Sequence, residues 1–207
     1  MAENNRMANN VARRQDPGRA LVRAADQRLP RYLAAADVRR LIDSATNPRD
    51  RMLLATLWNT GARIGEVLPA RRGDFDPIGR CLRMLNEKRR RIAEKVVYLS
   101  PDFALALLAY CDARRLRGPD LLFPSRTGRL LDRVRAWRIV RAAADAAGIV
   151  EAHPHLFRHG AAIHLLRAGV PLPIVKDQLG HASILTTMIY TQFSDQDKRD
   201  LVGKVEF

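Results

Sequence analysis

Apolar residues recur at every third or fourth position over most of the chain, which is the spacing of a helix with one buried face. The first such stretch places Val38, Leu41 and Ile42 on one side. The second begins about Pro48 and ends at Gly61, a residue type that suits the cap after a helix. A short third helix, 63–68, is predicted to follow.

Residues 74–99 depart from this helical spacing. A turn-rich segment, 74–79, precedes two short apolar runs, 81–85 and 95–99, which favour strands. The link between the runs contains four consecutive basic residues, Lys88, Arg89, Arg90 and Arg91. We therefore expect a small antiparallel sheet with a basic tip.

Helical spacing returns after Pro101, and glycine and proline residues mark the breaks between segments. The predicted helices are 102–116, 132–147, 154–168, 171–179 and 183–192. The fold class that follows is mainly α with a small antiparallel β-sheet (α+β).

The predicted helix 132–147 combines an apolar stripe with a basic row. The stripe consists of Val134, Trp137, Val140 and Ala144, and the row of Arg135, Arg138 and Arg141. A solvated face is the ordinary interpretation of such a row, and a face that contacts phosphates is the alternative.

Three segments are expected along the chain. Residues 1–28 are predicted to form a loose basic arm, either lying along DNA or solvated, because they are rich in Asn, Ala and Arg and contain a Pro-Gly break. Residues 29–193 hold the helical and strand patterns and are expected to form the folded domain. Residues 194–207 form a tail of mixed charge.

The net charge is more informative about function than the composition is. The chain has 36 Lys and Arg against 22 Asp and Glu, a net charge of +14, which favours a polyanionic partner and nucleic acid first. No apolar run approaches the ~18 residues that a membrane-spanning helix needs. Without a secretory-type apolar stretch, and with only two cysteines, a cytoplasmic location is expected.

Four of the five histidines fall between 153 and 164, so metal binding has to be considered. His155 and His159 are four residues apart and would share a helix face. However, neither a His-Glu-x-x-His pattern nor a neighbouring carboxylate or cysteine completes a ligand set. We therefore predict no metal and no cofactor.

Other routes to phosphate chemistry are also disfavoured. The carboxylates are too scattered to hold two metal ions, and a phosphate-binding loop is missing. A metal-free route needs guanidinium groups to hold the developing charge, a nucleophile such as a phenol, and a proton donor for the leaving oxygen.

These parts occur in a recognisable order. Residues 60–67, Thr-Gly-Ala-Arg-Ile-Gly-Glu-Val, resemble the first arginine motif of the tyrosine site-specific recombinases, the lambda-integrase-like family. Residues 155–160 resemble their His-x-x-Arg box, and 179–181 with 186–190 resemble their Leu-Gly-His…Tyr segment. The resemblance covers about residues 32–193 and implies the fold of the family's catalytic domain.

The resemblance implies a role for each matching residue. Arg63 and Arg158 would clamp the scissile phosphate, and His155 would accept a proton or bind the phosphate. His181 would donate a further hydrogen bond. Tyr190 would attack to give a 3′-phosphotyrosine, with no ATP required. Glu66 resembles the acidic residue that supports the site from behind.

The family carries its general-acid lysine on the β-hairpin. Lys88 is the predicted residue, because 86–91 resembles a Lys-Arg-Arg-Arg variant of that hairpin, and Lys95 is the alternative. The three arginines that follow Lys88 are expected to grip backbone phosphates.

The implied partner is duplex DNA carrying specific recombination sites, bound by a homo-tetramer with its tail exchanged between subunits or folded back. About thirty residues precede the matching region, so the family's N-terminal clamp domain is expected to be missing, with an accessory DNA-bending protein or the basic arm compensating.

The expected activity is integration, inversion or resolution. The alternatives are a DNA-binding architectural or regulatory protein, and an enzyme that relaxes supercoils or seals hairpin ends.

Overall fold

The computed structural model describes residues 31–88, 91–181, 183, 185–191 and 195–204. The predicted arm, 1–28, lies outside these residues. Within the described part, no helix is long and apolar enough to cross a membrane.

Three helices open the described chain: α1 (Ala35–Ser44), α2 (Pro48–Thr60) and α3 (Ile64–Val67). Helix α2 starts where the Asn47 side chain accepts a hydrogen bond from the Arg49 backbone, and Pro48 occupies the first turn. It ends at Gly61, whose φ of 58° is left-handed. The predicted second helix is therefore confirmed at both ends, and Arg63 lies in the short link between α2 and α3.

A three-stranded antiparallel sheet follows, with order β1 (Phe75–Asp76), β2 (Cys81–Lys88), β3 (Arg91–Tyr98). The register pairs Cys81 with Tyr98 and Lys88 with Arg91, so the basic residues lie at the far end of the hairpin. Both main strands are longer than predicted. The short strand β1 was missed because its two residues fall in a segment whose turn residues dominate the pattern.

The second half is helical: α4 (Pro101–Ala113), α5 (Arg133–Ala146), α6 (Pro154–Arg167), α7 (Leu172–Leu179), α8 (Leu185–Met188) and α9 (Asp195–Val202). A 3₁₀ turn, Ile189–Thr191, follows α8 directly. The predicted helix 183–192 is thus a short helix and a tighter turn, and Tyr190 lies in that turn.

The predicted stripe of α5 is partly wrong. Val134 and Trp137 are 61% and 47% exposed, whereas Ala136, Val140 and Ala144 are buried. The true inward face is built mostly from alanine. It was missed because the exposed Val134 and Trp137 also fit an apolar helical spacing. Small residues let α5 approach α1 closely, and the Ser44 hydroxyl donates to the Ala143 carbonyl at 2.8 Å.

Helix α6 lies between two apolar clusters. On one side it contributes Leu156 and Phe157 to the main core, together with Leu53 and Leu57 of α2. On the other it packs with α7 and the 3₁₀ turn in a smaller cluster that includes Tyr190. Consequently, α6 is the element against which the site residues are positioned.

Candidate active site

Arg63 is held in place by Glu66. The Glu66 carboxylate accepts from the Arg63 backbone N–H at 3.1 Å and from the Arg63 Nη1 at 2.9 Å. Glu66 is buried, while nearly half of the Arg63 side chain is exposed. The link between α2 and α3 therefore presents a guanidinium group whose position is fixed by a carboxylate behind it.

Lys95 reaches the same carboxylate from strand β3. Its Nζ lies 3.4 Å from Glu66 Oε2 and donates to the Leu179 carbonyl at 2.9 Å. Burial lowers the pKa of Lys95 to about 8; the Glu66 charge opposes this and the nearby arginines reinforce it. Burial alone would raise the pKa of Glu66, but Lys95 and Arg63 bring it below the usual value. Lys95 thus connects β3 to α3 and to the end of α7.

Arg158, on α6, is 4% exposed. Its Nη1 donates to the Gly61 carbonyl at 2.8 Å, and its buried Nη2 has no acceptor among the residues described. Burial, with the neighbouring Arg63 charge, lowers the pKa of Arg158 to about 10. A buried donor without an acceptor is costly, and an anionic ligand would satisfy it.

Arg63 and Arg158 line one cleft of about 370 Å³, together with Arg133 and His155. Burial, and then the charges of His153, Arg158 and Arg63, lower the pKa of His155. His155 is therefore neutral at pH 7 and lies beside two cations. This cleft provides a strongly positive, partly enclosed surface for an anion.

Tyr190 lies close enough to Arg158 for the two to interact electrostatically, and it is 2% exposed. Its hydroxyl is 2.6 Å from His159 Nδ1. Its ring also stacks against that of His181, with centroids 6.3 Å apart. Burial raises the pKa of Tyr190, and the Arg158 charge opposes this effect.

His181 is held by Thr187. The His181 Nδ1 and Thr187 Oγ1 atoms are 2.8 Å apart, and both residues are buried. Burial and the charges of Arg158, Arg63 and Lys95 lower the pKa of His181 to about 4, so its ring is neutral at pH 7. If Thr187 donates to Nδ1, the Nε2–H remains as a donor.

The two groups of residues meet at Arg158. The described residues that line the cleft do not include Tyr190 or His181. However, the Arg158 charge acts on the pKa of both, and Arg158 directly precedes His159 on α6. The guanidinium of Arg158 and the phenol of Tyr190 are therefore neighbours, because the residue after Arg158, His159, contacts Tyr190 directly.

The predicted DNA-binding arginines fall into separate places. Arg141 lines a groove of about 570 Å³ next to the cleft, where it donates to the Val150 carbonyl. Arg135 pairs with Asp132, and Arg138 is exposed; neither lines the cleft. The side chains of Lys88 and Arg91, and all of Arg89 and Arg90, lie outside the described residues.

Sequence reasoning did not single out Arg133, His159 or Thr187 for roles in the site. Arg133, the first residue of α5, lines the cleft, and its guanidinium packs over Gly65 so closely that a Cβ there would lie 2.6 Å from Nη2. The sequence feature that could have indicated Arg133 is Gly65, a glycine inside the first arginine motif. The feature that could have indicated Thr187 is a hydroxyl-bearing residue six positions after His181.

The histidine-rich segment does not form a metal-binding group in the part of the chain that is described. No set of three or more His, Cys, Asp or Glu side chains gathers there. His155 faces the arginine cleft, and His159 bonds to Tyr190.

Comparison with known proteins identifies the family of this chain. The sequence profile of the Phage integrase family matches residues 31–197. A resolvase from Escherichia coli is 38% identical over 194 residues, covering 79% of this chain and 74% of the resolvase.

Solved structures show the same fold. The XerA recombinase superposes with a TM-score of 0.73 at 29% identity, covering 86% of this chain and 67% of that one. The XerH site-specific recombinase, solved with its difH substrate in a pre-cleavage complex, gives a TM-score of 0.67 at 26% identity, covering 83% of this chain and 53% of XerH. With a family match over most of its length, the chain belongs to the phage integrase family, the tyrosine site-specific recombinases.

Proposed function

We propose that the protein cleaves and rejoins DNA strands at specific sites, with Tyr190 as the nucleophile. The observation that carries this proposal is Arg158. Its buried Nη2 lacks an acceptor among the described residues; Arg158 lines a cleft with Arg63, and the next residue, His159, contacts the phenol. A scissile phosphate bound there would satisfy Arg158 and lie close to Tyr190.

The chemistry follows from charge. As the Tyr190 oxygen attacks phosphorus, negative charge grows on the non-bridging oxygens, and two permanently charged guanidinium groups stabilise it. A bond forms between the Tyr190 oxygen and phosphorus, and the bond from phosphorus to the 5′ oxygen breaks. His155 and the Nε2–H of His181 supply further contacts to the phosphate. The 3′-phosphotyrosine bond retains the energy for religation, so the proposal includes no cofactor or metal.

Lys88 is the proposed donor of the proton to the departing 5′ oxygen. The alternative, Lys95, is only 6% exposed, and its ammonium is already engaged by Glu66 and the Leu179 carbonyl. A general acid has to touch the leaving atom. Lys95 is better suited to support Glu66 from behind, which leaves the donor role to Lys88.

The proposed partner is duplex DNA with specific recombination sites, in the cytoplasm with the nucleoid. The net charge of +14 suits phosphate contacts, and a DNA-bound recombinase shares the fold. The DNA-contacting residues proposed outside the cleft are Arg89, Arg90, Arg91, Arg135, Arg138 and Arg141. A tetramer on two DNA sites and an accessory DNA-bending protein belong to the same proposal.

The tail has two candidate positions. In this single chain Asp197 of α9 pairs with Arg167 of α6 at 2.9 Å, which is the folded-back arrangement. In an assembled tetramer, exchange of α9 between subunits would replace this pair with its counterpart on a neighbour. We propose exchange, in which α9 of one subunit makes this contact with α6 of its neighbour.

Trapping on nicked DNA tests the nucleophile. The substrate is a pool of short nicked duplexes. Cleavage releases the small fragment between the cleaved bond and the nick, so religation is prevented and the covalent adduct accumulates. The wild type is expected to form an adduct that maps to Tyr190, and Tyr190→Phe is expected to bind DNA without forming one. Tyr98→Phe is the matched control, because Tyr98 is exposed on β3.

Three outcomes would contradict the proposal. An adduct that persists in Tyr190→Phe places the nucleophile elsewhere. Loss of the adduct with EDTA means that a metal takes part. DNA binding by the wild type without any adduct supports the architectural alternative.

A further inference from the structure

His159 and Tyr190 are in direct contact. The His159 Nδ1 lies 2.6 Å from the Tyr190 oxygen, and the two ring centroids are 5.5 Å apart. The oxygen is the atom that would attack phosphorus. His159 is therefore the residue in direct contact with the reacting atom.

The direction of this hydrogen bond follows from the state of each group. Burial, and then the charges of His155, Arg158 and His153, lower the pKa of His159, so its ring is neutral at pH 7. Burial raises the pKa of Tyr190, which keeps the phenol protonated. The phenol O–H therefore donates and Nδ1 accepts, which leaves the hydrogen of the imidazole on Nε2.

His155 is less well placed to receive the phenol proton. It lines the cleft with Arg63 and Arg158, and the described lining of that cleft does not include Tyr190. The two histidines are one turn apart on α6, at i and i+4. The helix thus directs the first histidine to the phosphate side and the second to the phenol.

We propose that His159 is a catalytic residue that accepts the proton of Tyr190 as the phenol attacks the scissile phosphate. This inference rests on the proposed function, since it needs Tyr190 as the nucleophile. The O–H bond of Tyr190 breaks and its proton moves to His159 Nδ1, giving an imidazolium. The phenol oxygen forms its bond to phosphorus, and the 5′ oxygen leaves with a proton from the general acid.

Religation runs the same transfers backwards. The 5′ hydroxyl attacks the phosphotyrosine, and the His159 imidazolium returns its proton to the departing phenol oxygen. One residue acts as base in cleavage and as acid in rejoining. Charge is balanced at each stage, and no outside reactant is needed.

Several groups set the protonation of His159. From α6 and its N-cap these are His153, His155 and Arg158, and His181 contacts the same Tyr190 ring. Bound DNA adds a phosphate charge on the Arg158 side. The expected pH effect is a loss of cleavage as pH falls and His159 becomes protonated.

The test is single-turnover cleavage of the nicked duplex by His159→Asn. The asparagine Oδ1 lies near the position of the histidine Nδ1, so it accepts a hydrogen bond but takes up no proton. We expect adduct formation to slow by about 10²–10⁴-fold while DNA affinity is kept. His164→Asn, on the same helix with its exposed ring against Trp58, is the matched control and should cleave at the wild-type rate.

Two further measurements separate the role of base from that of structural support. A substrate with sulfur in place of the 5′ oxygen has a better leaving group, and it should not restore His159→Asn. The wild-type rate should fall as pH drops below 6.5, the ordinary histidine value, because the pKa of His159 is lowered from it. This loss of rate should be absent in His159→Asn or, if that variant unfolds, in His159→Gln.

The outcomes are distinguishable. No adduct from the wild type ends the proposed function itself. An adduct at Tyr190 that His159→Asn forms as fast as the wild type, or faster, overturns the role of His159 alone. Rescue of His159→Asn by the sulfur substrate, or a wild-type rate that is flat over this pH range, also overturns it.

Discussion

The Lys95 ammonium donates a hydrogen bond to the Leu179 carbonyl at 2.9 Å, joining strand β3 to the last residue of helix α7. Leu179 immediately precedes Gly180, whose φ of 71° turns the chain toward His181. The same ammonium lies 3.4 Å from Glu66, which holds Arg63. One buried lysine therefore supports the positions of both an arginine and a histidine of the site.

Replacing Lys95 tests this support. In Lys95→Met the Leu179 carbonyl loses its donor, while Glu66 keeps Arg63 as a partner. We expect a loss of about 1–3 kcal/mol in the free energy of unfolding, measured by urea denaturation. Lys176→Met, which removes only a surface pair with Asp177, should cost far less. Equal stability of Lys95→Met and the wild type would contradict the assignment.

The same variant reports on the pKa of Lys95. Folding lowers this pKa from 10.5 to about 8, so between these values the unfolded chain binds more protons than the folded chain. Stability contributed at this site therefore rises with pH across that window. The difference in unfolding free energy between wild type and Lys95→Met should shift in favour of the wild type from about pH 8 to 10. A difference that does not change with pH would argue against a lowered pKa.

Changing the leaving group of the substrate distinguishes the two candidate general acids, Lys88 and Lys95. Lys88→Ala should slow cleavage of an ordinary phosphodiester by about 10²–10⁴-fold, and a 5′ sulfur should largely restore the rate because sulfur leaves without a proton. Lys95→Met should slow both substrates by the same factor. Rescue of Lys95→Met but not of Lys88→Ala would exchange their roles.

Thr187 is expected to orient His181. Thr187→Val keeps the shape but removes the oxygen that lies 2.8 Å from His181 Nδ1. Without this hydrogen bond the activation free energy of cleavage should rise by about 1–1.5 kcal/mol. The cleavage rate, measured as adduct formation, should then be lower by about 10-fold. Thr187→Ser retains the hydroxyl and should stay near the wild-type rate. If both variants behave alike, the hydroxyl is not the relevant group.

Gly160 allows α6 to pack closely. A Cβ at this position would lie 2.4 Å from the Leu33 carbonyl oxygen and 2.8 Å from a Trp58 ring carbon. Gly160→Ala is therefore expected to destabilise the fold by about 1–3 kcal/mol and to slow adduct formation, because α6 carries Arg158. Gly118→Ala is the control, since a Cβ there meets nothing within 4 Å. Thermal unfolding of both variants measures the difference.

Much of the fold could be predicted from local patterns. The ends of α2 follow from Asn47, Pro48 and Gly61, whose preferences act within a few residues. The inward face of α5 could not, because Trp137 matches the apolar spacing yet is 47% exposed beside the groove that Arg141 lines. Burial there depends on which neighbours the helix meets.

The candidate site, too, could be predicted only in part. Arg63 and Arg158 stand in motifs, and the structure brings them to one cleft. From the sequence, His159 is a candidate only as a metal ligand beside His155, and its partner Tyr190 is 31 positions away. Its contact depends on how the 3₁₀ turn lies against α6, which short-range spacing does not specify.

Arg158 and His159 are consecutive residues of one helix, which has a consequence for how strand cleavage starts. Their separation is set by the backbone, so the two side chains move together with α6. Tyr190 lies on a different segment, Leu185 to Thr191, which consists of a short helix and a 3₁₀ turn. The distance from a phosphate held by Arg158 to the Tyr190 oxygen therefore depends on how this seven-residue segment lies against α6, and any shift between the two would change it.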